Sequence, residues 1–320
     1  MIRNQRLSTL PSHIGRVVDP SALAALDAIV DADESVDLHS HSRHSDGAWT
    51  PPELIDEAGT IGLKLISLTD HDNVGGQDAA FHAARDAGML FLSGMEVSLT
   101  VDGRSYHVLC YDFDWSSPTW TKFAERRRER FDVFYLNLFD QMKSRGYDVD
   151  PDLARNESGH FVDDPLAVAL HRSGRAPTLD AASQLVRGLY LRRPVELTYQ
   201  DVGEFAQLLR PGEAVFSVAH PGRQETGVSV RLSEDDLRIF VETIPLVALE
   251  AHHPYHTSPD VEHYRNLAKR YGLAVTCGSD AHGQNVRRPL RKHPASVCAE
   301  FLKIIRERWA ARVPVLAARS

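Results

Sequence analysis

The sequence predicts an α/β domain of the barrel type, broken once by a helical block. Short apolar runs alternate with amphipathic helical segments in about seven strand–helix units, the pattern of parallel βαβ folds. The rhythm fails over residues 116–210, where only helical spacing is found, and then resumes. The chain has 320 residues, 42% of them hydrophobic, enough for one large barrel or two average domains with a sizeable core. The expected organisation is an N-terminal extension (1–34), a barrel domain (35–115 and 211–320) and an inserted helical subdomain (116–210).

The elements follow in order. Pro20–Val30 reads as a short helix closed by an acidic turn. Ser35–Ser40 is a strand running into a loop. Pro51–Thr60 is a helix, with Thr50 as N-cap and proline at its first positions. Leu65–Thr69 is a buried strand, Gln77–Ala87 a helix ended by Gly88, and Leu90–Leu99 and Ser105–Tyr111 are strands. Trp120–Arg145 is a long charged helix stopped by Gly146, and smaller helices are expected within 163–172, 178–189 and 199–209. Strand Ala214–Ala219, helix Ser233–Thr243, strand Leu246–Ala251, helix Pro259–Tyr271, strand Ala274–Cys277 and a helix near Pro294–Ala310 complete the series.

Composition excludes several classes. A formal charge of −8 makes a general nucleic-acid binder a poor reading, and no stable nucleic-acid complex is expected. No run of about 18 apolar residues is present, so no membrane span is expected. Met1–Leu10 has charges and no following apolar region, so no secretory leader is expected and a cytoplasmic location follows. Cys110, Cys277 and Cys298 are widely spaced without a CxxC pattern and read as buried small hydrophobes.

Histidine is the outlier: 16 are present, about twice ordinary usage. Most stand where strands end. The first strand delivers His39-Ser40-His41 and then Asp46, the second Thr69-Asp70-His71-Asp72, and the third Glu96. The fourth carries His107, the fifth ends at His220-Pro221-Gly222-Arg223, the sixth at Glu250-Ala251-His252-His253, and the seventh at Asp280-Ala281-His282. Residues i and i+2 of a strand share a face, so His39 and His41 can grip one ion together. Asp280 and His282 repeat that spacing on the last strand, which neighbours the first in a closed barrel. Imidazole with carboxylate suits Zn, Mn or Fe. Glu96 can bridge two ions about 3.5–4 Å apart, as in two-metal hydrolases. His13, His82, His171, His263 and His293 fall in helices or loops without partners.

The pieces VDLHSHSRHSDG (36–47), LISLTDHDNVGG (65–76), LSGMEVS (92–98), HVLCYDFD (107–114), VAHPGR (218–223), LEAHHPYHT (249–257) and CGSDAHG (277–283) appear in one order across most of residues 36–290. In these the chain resembles the PHP (polymerase and histidinol phosphatase) family. The AHPGR piece and the helical insertion resemble its branch that acts on 3′,5′-bisphosphonucleotides and trims short RNA from the 5′ end. The resemblance implies a distorted (β/α)7 barrel and two to three divalent ions. One would be held by His39, His41, Glu96 and Asp280, a second by Glu96, His107 and His220, and a third by Asp46, His71 and His282. The Arg-Pro-His motif of that branch is here Ser158-Gly159-His160, which keeps only the histidine.

The reaction expected is hydrolysis of a small phosphorylated substrate, a nucleotide or short oligonucleotide, by a metal-activated hydroxide formed near pH 7, roughly. Arg223, Arg127 and Arg130 are candidate phosphate contacts because the guanidinium fork matches phosphate. His160, His253 and His256 are candidate substrate contacts, and His253 and Asp72 candidate catalytic groups. Histidinol phosphate is an alternative substrate. An amidohydrolase is a second alternative, against which no strand ends in lysine, and a non-catalytic metal-binding module is a third.

Overall fold

The computed structural model describes residues 20–155, 161–162, 164–192, 199–224, 230–283 and 288–313; His160 lies outside them. The strands are β1 (Ser35–Asp37), β2 (Leu65–Leu68), β3 (Leu90–Val101), β4 (Arg104–Tyr111), β5 (Gln200–Asp201), β6 (Val215–Val218), β7 (Leu246–His252), β8 (Ala274–Cys277) and β9 (His293–Pro294). The helices are α1 (Pro20–Asp31), α2 (Pro51–Ile61), α3 (Gln77–Asp86), α4 (Pro118–Ser144), α5 (Pro165–Arg172), α6 (Leu179–Gly188), α7 (Val202–Ala206), α8 (Glu234–Thr243), α9 (Ser258–Arg270) and α10 (Ala299–Ala310). Local signals place their ends. Thr50 makes a capping box with Glu53 at the start of α2, and Gly62 closes that helix in the left-handed conformation. Ser233 caps α8, and Thr257 caps α9.

The chain forms two compact units, Met1–Thr121 with Asp201–Ser320, and Lys122–Gln200. In the first, the sheet runs β8-β7-β6-β4-β3-β2-β1-β9. It comes close to closing on itself where residues after β1 meet residues after β8. Leu38 N–H donates to Cys277 O at 3.2 Å, and His41 N–H to Ala281 O at 2.9 Å. The barrel class read from the sequence is therefore correct.

One part of that reading changes. β3 and β4 are not joined by a parallel crossover; they form an antiparallel hairpin, and β4 is antiparallel to β6 as well. The turn is Asp102-Gly103, with φ of 47° and 74°, the left-handed pair that a two-residue hairpin loop requires. This reversal explains why β4 contributes His107 from near its start, whereas β1, β2, β6 and β8 contribute from just past their ends.

The core and the site occupy successive positions on the same strand faces. Leu90 and Leu92 of β3, and Tyr111 and Leu109 of β4, are buried in one hydrophobic cluster. Glu96 lies four residues past Leu92, and His107 two residues before Leu109, so each shares a face with those core residues. The cluster also takes in Ala22, Leu26 and Ile29 of α1 with Phe301, Leu302, Ile305 and Trp309 of α10. Residues 20–31, read from sequence as part of an extension, thus belong to the barrel's core. The second unit has its own cluster, with Phe134, Leu138, Phe139 and Met142 of α4 against Leu166 and Leu170 of α5 and Ala182 of α6. Among the described residues no helix is long and apolar enough to cross a membrane.

Candidate metal centre

The strand ends are shaped by their turns. Asp72, His220 and Asp280 all have positive φ, a conformation that costs a non-glycine residue about 1–3 kcal/mol and persists where its surroundings impose it. Glycine is required at 278: a Cβ there would lie 2.2 Å from His39 Cβ. Asp70 ties down the loop after His41. It accepts from Ser42 N–H, Ser42 Oγ–H and Ser45 Oγ–H, each at 2.7 Å.

Glu96 is fully buried at the centre. Its Oε2 lies 3.0 Å from His39 Nε2, 3.1 Å from His41 Nε2 and 3.4 Å from His71 Nδ1. Its Oε1 lies 2.9 Å from both His107 Nδ1 and His220 Nε2. One carboxylate therefore faces two separate sets of ring nitrogens. Asp280 Oδ1 stands 3.1 Å from His41 Nε2 and 3.6 Å from His39 Nε2. Asp46 Oδ2 lies 3.0 Å from His282 Nε2, and its Oδ1 lies 3.9 Å from His71 Nε2.

Donor atoms within 4.8 Å of one another form the groups His39–His41–Glu96–Asp280, His71–Glu96–His107 and His41–Asp46–His71–His282. These gather eight of the nine expected ligands, and the ninth, His220, reaches Glu96 directly. The set fits divalent cations: ring nitrogens and carboxylate oxygens converge, with no thiolate among them. The Nε2 atoms of His39 and His41 lie 3.2 Å apart, a spacing at which a shared cation relieves the crowding of two donors.

The electrostatics agree. Burial opposes charge on His39, yet the carboxylates of Glu250 and Glu96 raise its pKa to about 10. Against burial, which would raise it, the imidazole of His39 holds Glu250 at about 2. Burial would likewise raise Glu96, but His71, His39 and His107 hold it well below the usual carboxylate range. Burial lowers His71 to about 3, leaving a neutral ring. Glu96 is thus held ionised and the rings of His71, His220 and His282 neutral, the states that ligands need, while His39 is held protonated between its two carboxylates.

Other expected site residues fall variously. Arg223 Nη1 lies 3.8 Å from Asp280 Oδ2. His253 Nδ1 accepts from Tyr255 N–H at 3.1 Å, which leaves its proton on Nε2, 3.4 Å from Asp280 Oδ2. His256 has both ring nitrogens on backbone: Nε2 accepts from Gly222 N–H at 3.0 Å, and Nδ1 donates to Ala251 O at 2.8 Å. It holds the turn after His220. Asp72 is buried outside these groups, and its Oδ1 accepts from Ser98 N–H at 3.0 Å. Arg127 and Arg130 lie on α4 in the second unit; Arg127 is buried with its guanidinium 5.7 Å from the Phe131 ring, and Arg130 is exposed.

Sequence reading put Glu250 at a strand end without giving it a role, and missed Arg288. Glu250 Oε1 meets His39 Nδ1 at 3.0 Å, and its Oε2 accepts from His220 N–H at 2.7 Å. It holds the ring so that His39 Nε2 faces Glu96. The signal was a lone carboxylate ending the apolar run Leu246–Leu249. Arg288, which contacts Asp280, gave no local signal.

A family model described as the PHP domain matches residues 37–148. That span holds His39, His41, Asp46, His71, Glu96 and His107. Over 262 residues the chain is 29% identical to a phosphoribosyl 1,2-cyclic phosphate 1,2-diphosphodiesterase of Eggerthella lenta, covering 79% of this chain and 96% of that one. It is 26% identical over 261 residues to a 3′,5′-nucleoside bisphosphate phosphatase of Chromobacterium violaceum, covering 78% and 87%. A crystal structure from Bifidobacterium adolescentis, provisionally assigned as a metal-dependent phosphoesterase, superposes with a TM-score of 0.68 at 25% identity, covering 89% of this chain and 98% of that one.

Proposed function

We propose that this PHP-domain chain is a metal-dependent phosphoesterase acting on small phosphorylated substrates, with nucleotides or short 5′-phosphorylated RNA as the favoured class. The observation that carries this reading is Glu96, whose two oxygens each face a different set of ring nitrogens. A carboxylate so surrounded would suit two ions, as in two-metal hydrolases. His39, His41, Glu96 and Asp280 would hold one ion, Glu96 with His107 and His220 a second, and Asp46, His71 and His282 a third. Mn, Zn or Fe suits these donors. Bound ions would supply Lewis acidity toward the phosphoryl group and acidify water.

The chain's own groups complete the chemistry. Arg223, beside Asp280, would neutralise phosphoryl oxygens. Burial lowers the His253 pKa to about 3, so its ring acts as a neutral donor from Nε2 that orients an oxygen and not as a cationic acid. Glu250 and Asp70 hold the ligands in register.

The test is Mn²⁺-dependent hydrolysis, read as release of inorganic phosphate from a nucleoside 3′,5′-bisphosphate, AMP and histidinol phosphate, of a mononucleotide from a 5′-phosphorylated oligoribonucleotide, and of the ring-opened monoester from a cyclic phosphodiester. Metal-dependent release is expected from a nucleotide substrate, and no release from any of them refutes the reading. The double substitution His39→Ala with His41→Ala should abolish turnover while leaving the circular dichroism of the fold; retained activity would refute the ligand assignment.

A further inference from the structure

Asp280 looks two ways. Its Oδ1 stands among the ring nitrogens of the metal centre, 3.1 Å from His41 Nε2. Its Oδ2 meets Arg288 Nη1 and has Arg223 Nη1 at 3.8 Å. Two guanidinium groups thus converge on one carboxylate oxygen at the edge of the ligand cluster. Both rest against one ring: Arg288 Cζ lies 4.7 Å, and Arg223 Cζ 5.3 Å, from the centroid of Tyr255, itself about half exposed.

Arg288 is built in. It is 8% exposed, and its carbonyl accepts from His282 N–H at 3.0 Å and Gly283 N–H at 3.2 Å, which anchors it beside a ligand. Its Nε is buried with no hydrogen-bond partner among the described residues. A buried donor of that kind is costly unless an acceptor arrives. Arg288 thus brings a guanidinium with an unsatisfied Nε–H to the edge of the ligand cluster, at a point from which an anion could also reach the ions.

We infer that Arg288, held on Tyr255 with Arg223, is the receptor for a phosphoryl oxygen of the substrate. It would position that group over the metal centre as a guanidinium fork rather than serve only as a brace for Asp280. The inference rests on the phosphoesterase reading and names a substrate-binding residue for it.

The experiment compares the full-length protein with Arg288→Ala and Arg288→Lys, each loaded with Mn²⁺. It measures metal content, inorganic phosphate binding by calorimetry, KM and kcat separately, and thermal melting. Expected is unchanged metal content, a Kd for phosphate and a KM raised about tenfold or more in Arg288→Ala, and partial recovery in Arg288→Lys, which keeps the charge and loses the fork. If metal content falls while phosphate affinity of the loaded fraction is unchanged, Arg288 is only a brace and the inference fails. If Arg288→Ala does not fold, Arg288→Lys decides: phosphate affinity equal to the parent's overturns the inference. A parent that hydrolyses esters and binds phosphate, beside variants that do both equally well, removes this inference alone. A parent that does neither removes the phosphoesterase reading and this one with it.

Discussion

At Glu250 a single carboxylate holds two candidate ligands without belonging to the donor groups. One oxygen meets the far nitrogen of His39, the other the backbone of His220. Partners of this kind orient a ligand and fix its tautomer, and their loss typically costs about 10–100-fold in metal affinity or activity. Glu250→Gln is therefore expected to lower Mn²⁺ affinity by roughly that factor, read by metal titration, with the fold retained. Affinity equal to the parent's would show that His39 needs no partner. The positive φ at His220 and Asp280 has the same origin: the backbone accepts strain where the turn must aim a side chain inward.

The β3–β4 hairpin and α8 are joined by a polar clamp. Asp236 accepts from Arg104 Nε–H at 2.9 Å and from the hydroxyls of Tyr106 at 2.5 Å and Ser233 at 2.6 Å. Burial would raise the Asp236 pKa, but these donors, Arg104 foremost, lower it. A carboxylate whose folded pKa is depressed adds stability above its unfolded value, and that stability is lost as pH falls through the folded value. Asp236→Asn should therefore lower the urea midpoint at pH 7, and its difference from the parent should shrink below pH 4, roughly. A difference independent of pH would assign the cost to packing. The hairpin itself was legible: Asp102-Gly103 between strand-like runs is a turn signal. It was missed because burial on both faces of β3 gives the continuous apolar run that parallel strands also show.

Across the first unit, sheet closure and the α1–α10 contact decide what is core. Leu26 is 1% exposed and shares a cluster with Phe301 and Ile305. Leu26→Ala should cost about 2–5 kcal/mol, the range for buried leucines, measured by equilibrium denaturation. A loss under about 0.5 kcal/mol, the level of a surface change, would show α1 to be an appendage. The second unit, with a separate hydrophobic cluster, accounts for the break in the strand–helix rhythm.

The sequence alone determined the alternation of elements, the cap at Thr50 and the gathering of candidate ligands at strand ends, because these are written in short-range patterns: i and i+2 pairs, Thr before a helix, imidazole beside carboxylate at strand ends. It placed His39 with His41 and Asp280 with His282, pairs that the closing contacts bring together across 240 residues of chain, roughly. What only tertiary structure decided was the direction of β4, the membership of α1 in the core, and the roles of Glu250, His256, Asp72 and Arg288. Each depends on which distant backbone or side chain a group meets. Two hundred and eleven residues separate His39 from Glu250 in the chain, and 3.0 Å separates their atoms in the fold; no local pattern carries such a contact, because sheet register alone sets it.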